Sequence, residues 1–336
     1  MKNKFALLSY QFDFKNAFNV GDYIQSLAAR QFFPVDDDDI ILINREKLNT
    51  KKENINALLI MNGWFSHYPD CWPPADYITP IFVSFHINKS VEDFFKKPDV
   101  IEYLKKHEPI GCRDTHTQEF LRKNGIESYF SGCLTTTFEK VHWTKYPDKE
   151  NKKVLLIDIL HNIGSLNYLF SRTDINFINK LIRIPKTIKA RVSIVNAEKL
   201  ISKIKSSIRL NRNHVVFESL TTQFSAKINE PERFSLAKEY LEKYSNADLV
   251  ITSRIHVALP CLALGTPFVF VNPEVDTSRF PGLSDFFNLL SKGDICSMSK
   301  SELGMYFNNI ENKDNFLIYR ENLITTCENK VAEFNK

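Results

Sequence analysis

Short, largely apolar runs separated by stretches of helical spacing recur along this chain, and that alternation constrains its fold more than any other feature. In the first half, Phe5–Tyr10, Asp39–Asn44, Ala57–Asn62, Ile81–Phe85, Pro109–Cys112 and Ser128–Phe130 read as strands. Between them, Tyr23–Phe33, Val91–Lys106 and Thr117–Asn124 place apolar residues three and four apart, and the last stops at Gly125, a helix C-terminal signal. The polar stretch Glu139–Lys153 carries Pro147 and no periodicity, so it reads as a linker. The alternation then resumes, with strands at Val154–Ile159, His214–Glu218, Leu249–Thr252 and Pro267–Val271 and helices at Ala197–Leu210, Pro231–Ser245 and beyond Arg254. Strand-helix alternation of this kind builds parallel sheets covered by helices. The expected fold class is α/β, with two Rossmann-like domains at 1–145 and 153–300 and a helical tail at 301–336.

Length and composition agree with that reading. A chain of 336 residues is too long for one ordinary core, and 43% apolar with 25% charged residues excludes disordered, collagenous and coiled-coil chains. No apolar run reaches the roughly 18 residues a membrane span needs. The opening MKNKFALLSYQF has a short apolar core and no small-residue cleavage site, so it reads as a first strand and the expected location is cytoplasmic. The six cysteines are scattered without CxxC or zinc-type spacing, which predicts reduced thiols and no metal site. A net charge of +4 is too small for a dedicated nucleic-acid binder, and no nucleic-acid motif is present.

The charge is uneven, however. Ten basic residues against one acid lie between Lys180 and Asn213. Within this stretch 197–212 has the pattern of a basic amphipathic helix, which either rests on an anionic membrane as a peripheral contact or packs its apolar stripe on the second sheet. The acidic run Asp36–Asp39 reads as solvated carboxylates before a strand.

The chemistry concentrates in Ala247–Asn272. A buried strand runs into Thr252-Ser253-Arg254-Ile255-His256, then a small-residue helix containing Pro260, then Gly265-Thr266-Pro267 and another strand. In open α/β sheets ligands sit at the carboxyl ends of strands, beside helix N-termini. Arg254 falls there, where its planar fork suits a carboxylate or phosphate, and His256 can share the anion or move a proton.

With these residues the sequence resembles the polysaccharide pyruvyl transferases. The hallmark is the Arg-x-His of Ser253-Arg254-Ile255-His256 ahead of Gly265-Thr266-Pro267. Asn19-Val20-Gly21-Asp22 resembles the family's N-terminal opening, and Gly111-Cys112-Arg113-Asp114 with Thr117 and Leu121 its Arg-Asp helix start. Asp276–Phe280 lies where members often carry a basic residue. Two positions depart from the family pattern: Gly132-Cys133-Leu134 replaces an Asp-Pro, and Leu156–His161 lacks an Arg.

The resemblance implies a glycosyltransferase-B-like enzyme, free of cofactor and metal, that moves the enolpyruvyl group of phosphoenolpyruvate onto a saccharide as a cyclic ketal. The acceptor would be a capsular, exopolysaccharide or cell-wall precursor, lipid-linked, met at the inner face of the membrane. Arg254 and His256 would be catalytic; Ser253, Arg254, His256, Gly265, Thr266 and Arg279 would hold the donor, with Arg113 and Arg191 behind Arg279 as second anion ligands. Asn19, Asp22, Arg113, Asp114 and Glu274 would face the acceptor, although Asp22 also reads as a helix cap and Arg113-Asp114 as a local ion pair. The aromatic residues Trp64, Phe65, His67, Tyr68, Trp72 and Tyr77 suit stacking on a sugar or ordinary packing. Two alternatives remain open: a nucleotide-sugar glycosyltransferase of the same architecture, and a non-catalytic saccharide-binding member.

Overall fold

A computed structural model describes residues 2–10, 17–65, 67–139, 142–143, 151–159, 197–210, 214–225, 227–272 and 280–336. The strands are, in chain order, β1 (Lys2–Ser9), β2 (Ala17–Asn19), β3 (Ile40–Asn44), β4 (Ile55–Ile60), β5 (Gly63–Trp64), β6 (Ile78–Ile81), β7 (Phe85–His86), β8 (Ile110–Cys112), β9 (Ser128–Phe130), β10 (Lys152–Ile157), β11 (Val215–Leu220), β12 (Gln223–Ser225), β13 (Leu249–Thr252), β14 (Phe268–Asn272) and β15 (Leu289–Ser291).

The first half forms two parallel four-stranded ladders, β3-β1-β4-β6 and β5-β7-β8-β9. They are one surface with a break in two strands. β5 continues β4 after Met61-Asn62, β7 continues β6 after Phe82–Ser84, and the amides of Met61 and Gly111 bridge the break to Ile81 O (2.8 Å) and Phe82 O (3.0 Å). The second half is a parallel sheet ordered β11-β10-β13-β14-β15. In both halves the first strand lies between the second and the third, so the connections reverse direction beside β1 and beside β10. That reversal opens a crevice at the carboxyl ends of those strands.

The predicted strands are present to within a few residues except Ile81–Phe85, which spans the break between β6 and β7; central strands such as β10, β13 and β14 are apolar on both faces, as a sheet covered by helices requires. Lys152 and Lys153, expected in the linker, belong to β10, where their backbone pairs with Val215 and Val216. The single helix expected at Val91–Lys106 is two, Glu92–Phe95 and Pro98–Lys105. Pro98 explains the break: it disfavours helical geometry in the residue before it and starts the second helix itself.

A continuous apolar core joins the halves. The helix Val20–Arg30 packs on the helix Glu230–Ser245, with the Tyr23 ring edge-on to Phe234 at 5.1 Å and Arg233 donating to the Tyr23 hydroxyl at 3.0 Å. β12 of the second half pairs antiparallel with β2 of the first, aligning Gln223 with Asn19. The tail forms the helices Lys300–Asn308 and Leu317–Phe334, and the second returns to the first half, with Phe334 against Phe5 at 5.7 Å.

Leu200, Ile204 and Ile208 of the helix spanning 197–210 are buried against the second sheet. That burial matches the packing alternative read from this helix, while Lys205 and Arg209 lie over the Phe217 ring and Leu210 stays exposed. No helix among the described residues is long and apolar enough to cross a membrane. The acidic run is not simply solvated: Asp37 takes a 2.6 Å bond from Arg30, and Lys238 of the second half stands 3.5 Å away.

Candidate active site

Two helix N-termini meet at the crevice. The helix Val20–Arg30 starts at Asn19, whose side chain accepts from the Gly21 amide at 2.9 Å. The helix Ile255–Ala263 starts at Arg254, whose side chain makes no cap hydrogen bond, while its amide donates to the Thr252 hydroxyl at 3.0 Å. The two approach so closely that a Cβ on Gly21 would lie 2.9 Å from the His256 Cβ. Glycine is needed here for space.

The cleft they bound has a volume of about 150 Å³ and is lined by Asn19, Gly21, Asp22, Trp64, His86, Asn88, Arg113, Thr222, Ser253, Arg254, Ile255, His256 and Phe280. Of the residues singled out in the sequence, Asn19, Asp22 and Arg113 arrive from the first half and Ser253, Arg254 and His256 from the second. Larger hollows of about 540 and 660 Å³ lie beside the helix 197–210 and beneath the first sheet, and neither gathers arginine and histidine from both halves.

Arg254 is held from behind. Its Nε donates to Asp158 Oδ2 at 3.1 Å, and the same oxygen accepts from the Thr222 amide (3.0 Å) and the Thr222 hydroxyl (2.6 Å). Asp158 adopts φ +45°, a left-handed geometry that Asp tolerates better than most residues. The Thr222 carbonyl in turn accepts from the Val20 amide at 2.9 Å. One chain of contacts thus fixes the guanidinium and the start of the opposite helix. Asp158, at the end of β10, thereby orients Arg254.

Arg113 is buried at 4% exposure and reaches His256 Nε2 at 3.4 Å. Read from the sequence both as an acceptor-wall residue and as a candidate second anion ligand, it stands beside the second-half histidine. Burial, then the charges of Arg113, His86 and Arg45, push the His256 imidazole well below its ordinary value, so the ring is neutral at neutral pH. An anion in the cleft would offset those cations and favour the protonated ring.

Asp114 does not line the cleft. It is fully buried, caps the helix Thr115–Lys123 through the Thr117 amide at 2.8 Å, and meets His86 Nδ1 at 2.5 Å. Burial alone would raise its pKa, but the His86 hydrogen bond, with Arg113 and Thr117, holds the carboxyl below its usual range. Gly265 and Thr266, expected at the donor, lie at the opposite end of the helix Ile255–Ala263. Gly265 takes φ +66° in the turn, and the Thr266 hydroxyl donates to Tyr244 O at 2.8 Å. They are turn residues of the fold, which is why they precede β14 at its amino end. Glu274, Arg279 and Arg191 lie outside the described residues.

Sequence reasoning missed His86, Arg45, Asn88 and Thr222. Arg45, 1% exposed, follows β3 directly, lies 3.8 Å from Asp22 and bonds Glu46 at 2.7 Å. Its position at a strand's carboxyl end was the available signal. Of the aromatic residues, Trp64 lines the cleft with the His67 ring tilted against it at 4.6 Å, whereas Trp72 is packed among Phe65, Phe85 and Phe95. The six cysteines are free thiols, and among the described residues no group of His, Cys, Asp and Glu could hold a metal ion.

No curated protein matches the chain. The family model for polysaccharide pyruvyl transferase matches residues 19–274, from the cap of the first cleft helix to just beyond β14, and the chain belongs to that family.

Proposed function

We propose that the protein transfers the enolpyruvyl group of phosphoenolpyruvate onto two hydroxyls of a saccharide as a ketal, within a glycosyltransferase-B-like pairing of two Rossmann-like halves that divide near 145–153. The observation that carries this reading is the convergence of Arg254 and Arg113, from opposite halves, on His256 at the crevice. A donor bearing a carboxylate and a phosphate needs more than one cation, and a guanidinium on either side supplies two planar forks. The cleft's 150 Å³ falls below the roughly 300 Å³ typical of sites for larger ligands, which suits a three-carbon donor better than a nucleotide sugar.

The reaction needs a proton delivered to C3, so that C2 becomes electrophilic, and two protons removed from the acceptor diol. His256 is the acid toward C3. Neutral in the unliganded cleft, it gains its proton when the donor's negative charge offsets Arg113. The acceptor lies along the first-half wall, beside Asn19, Asp22 and Trp64. It belongs to a capsular, exopolysaccharide or cell-wall precursor, lipid-linked at the inner face of the membrane.

Thermal stabilisation by phosphoenolpyruvate but not by UDP, GDP or CMP sugars is expected, with phosphate release and a ketal mass gain on lipid-linked galactose-, mannose- or glucosamine-type acceptors. Arg254→Ala and His256→Ala should abolish both signals in folded protein. Stabilisation by a nucleotide instead, or near-normal turnover in both variants, refutes the assignment.

A further inference from the structure

We infer that His86, held by Asp114, is a second acid–base group of the cleft, accepting the proton of the acceptor hydroxyl that attacks C2 of the donor. The inference rests on the ketal-transfer reading and extends it to a residue for which the sequence gives no motif.

His86 ends β7 and is 3% exposed, yet its ring lines the cleft with Arg113, His256, Asn88 and Trp64. Its Nδ1 meets Asp114 Oδ2 at 2.5 Å. The carboxylate cannot swing away, because Oδ1 accepts from the Thr117 amide at 2.8 Å and Oδ2 from the Thr117 hydroxyl at 3.1 Å. An ionised carboxylate only accepts, so Nδ1 carries the hydrogen and Nε2 is the basic nitrogen left for the cleft. This is how an Asp fixes the tautomer of a histidine base. Burial and the neighbouring Arg113 push the ring down to about 4 against the pull of Asp114, with His116 adding a smaller push, so His86 waits unprotonated. A buried Asp–His pair is an expensive way to join β7 to a helix unless its free nitrogen is used.

The protons balance with two histidines. The first hydroxyl loses its proton to His86 Nε2 as its oxygen bonds C2, and the C2=C3 pair takes the His256 proton at C3. The C2–O bond to phosphate then breaks with its electron pair, and the phosphate receives the proton from His86. The second hydroxyl bonds C2 and returns a proton to His256. Both protons of the diol are accounted for, one in the methyl group and one on phosphate.

The test compares wild type, His86→Ala, His86→Gln and Asp114→Asn, the last keeping an acceptor for the Thr117 amide. Phosphate release from phosphoenolpyruvate is followed with p-nitrophenyl galactoside, mannoside and N-acetylglucosaminide, and donor binding is measured by calorimetry. For both His86 variants kcat is expected to fall about 10²- to 10⁴-fold, the span typical of general base catalysis, with donor Kd within about threefold of wild type. Added imidazole should restore His86→Ala at least tenfold and leave His86→Gln unchanged. Asp114→Asn should lower kcat about as far as the His86 variants with donor Kd unchanged, since its amide nitrogen would donate to Nδ1 and leave the hydrogen on Nε2. A His86→Ala kcat within threefold of wild type, or a loss that imidazole does not restore, overturns the inference. A wild type that neither binds phosphoenolpyruvate nor releases phosphate overturns the functional reading itself.

Discussion

Replacing Gly21 by Ala should separate activity from stability. Gly21 sits in the first turn of the helix Val20–Arg30, where alanine is the better helix former by about 1 kcal/mol. Against that gain, the new methyl would stand 2.9 Å from the His256 Cβ and 3.2 Å from Asn19 Oδ1. The His256 Cβ is tied to its backbone, so no rotamer relieves the clash and the two helix N-termini must move apart by several tenths of an ångström. Overpacking of this kind costs about 1 to 3 kcal/mol, which leaves a net loss of about 0 to 2 kcal/mol. The effect on catalysis should be larger, because the displacement moves His256 relative to the first-half wall, and a misplacement near 1 Å costs about 100-fold in rate. Urea denaturation measured beside phosphate release from phosphoenolpyruvate gives both quantities. Gly293→Ala is the control, since it occupies the same helix position with Ser291 Oγ its nearest neighbour at 3.4 Å; it should leave activity unchanged and keep the propensity gain of up to about 1 kcal/mol. Full activity in Gly21→Ala would refute the claim that this contact sets the cleft's spacing.

Other expected outcomes follow from the same contacts. Asp158→Ala removes three hydrogen bonds converging on one oxygen and a residue suited to positive φ, so urea denaturation should show a loss of about 3 kcal/mol, whereas Asp158→Asn should keep most of it. With its folded pKa near 4 against about 6.5 unfolded, His86 binds its proton more readily in the unfolded chain; its contribution is complete above pH 6.5 and is lost as pH falls towards 4, about 2 kcal/mol between pH 7 and 5. Unfolding curves at those two pH values should show the loss in wild type and a smaller one in His86→Gln. Ile204→Ala, deleting a fully buried side chain of the basic helix, should cost about 3 kcal/mol in chemical denaturation, while Lys205→Ala should cost under about 0.5 kcal/mol.

The strands were legible because a run such as Leu249–Ile251, buried along its whole length, has to be apolar at every position. The Arg254–His256 segment was legible because a strand end followed by a helix start is local in sequence. Short strands were not: β2, β5, β12 and β15 have two or three residues each, too few to show a period, and β2 with β12 exists only because the two halves dock. Gly265 and Thr266 were misplaced for a related reason. They adjoin the motif in sequence, but the intervening helix carries them to the other edge of the sheet.

By itself, then, the sequence determined the alternation of strands and helices, the parallel α/β class and the strand-end position of Arg254 and His256, all of which depend on neighbours a few residues apart. Only the tertiary structure decided which groups share the cleft. Arg113 and His256 are 143 residues apart in the chain, Arg254 and Asp158 are 96, and His86 and Asp114 are 28. No periodicity records such pairs, because hydrogen bonds and charge act through space, and that spacing is set by how the two sheets pack on their shared core.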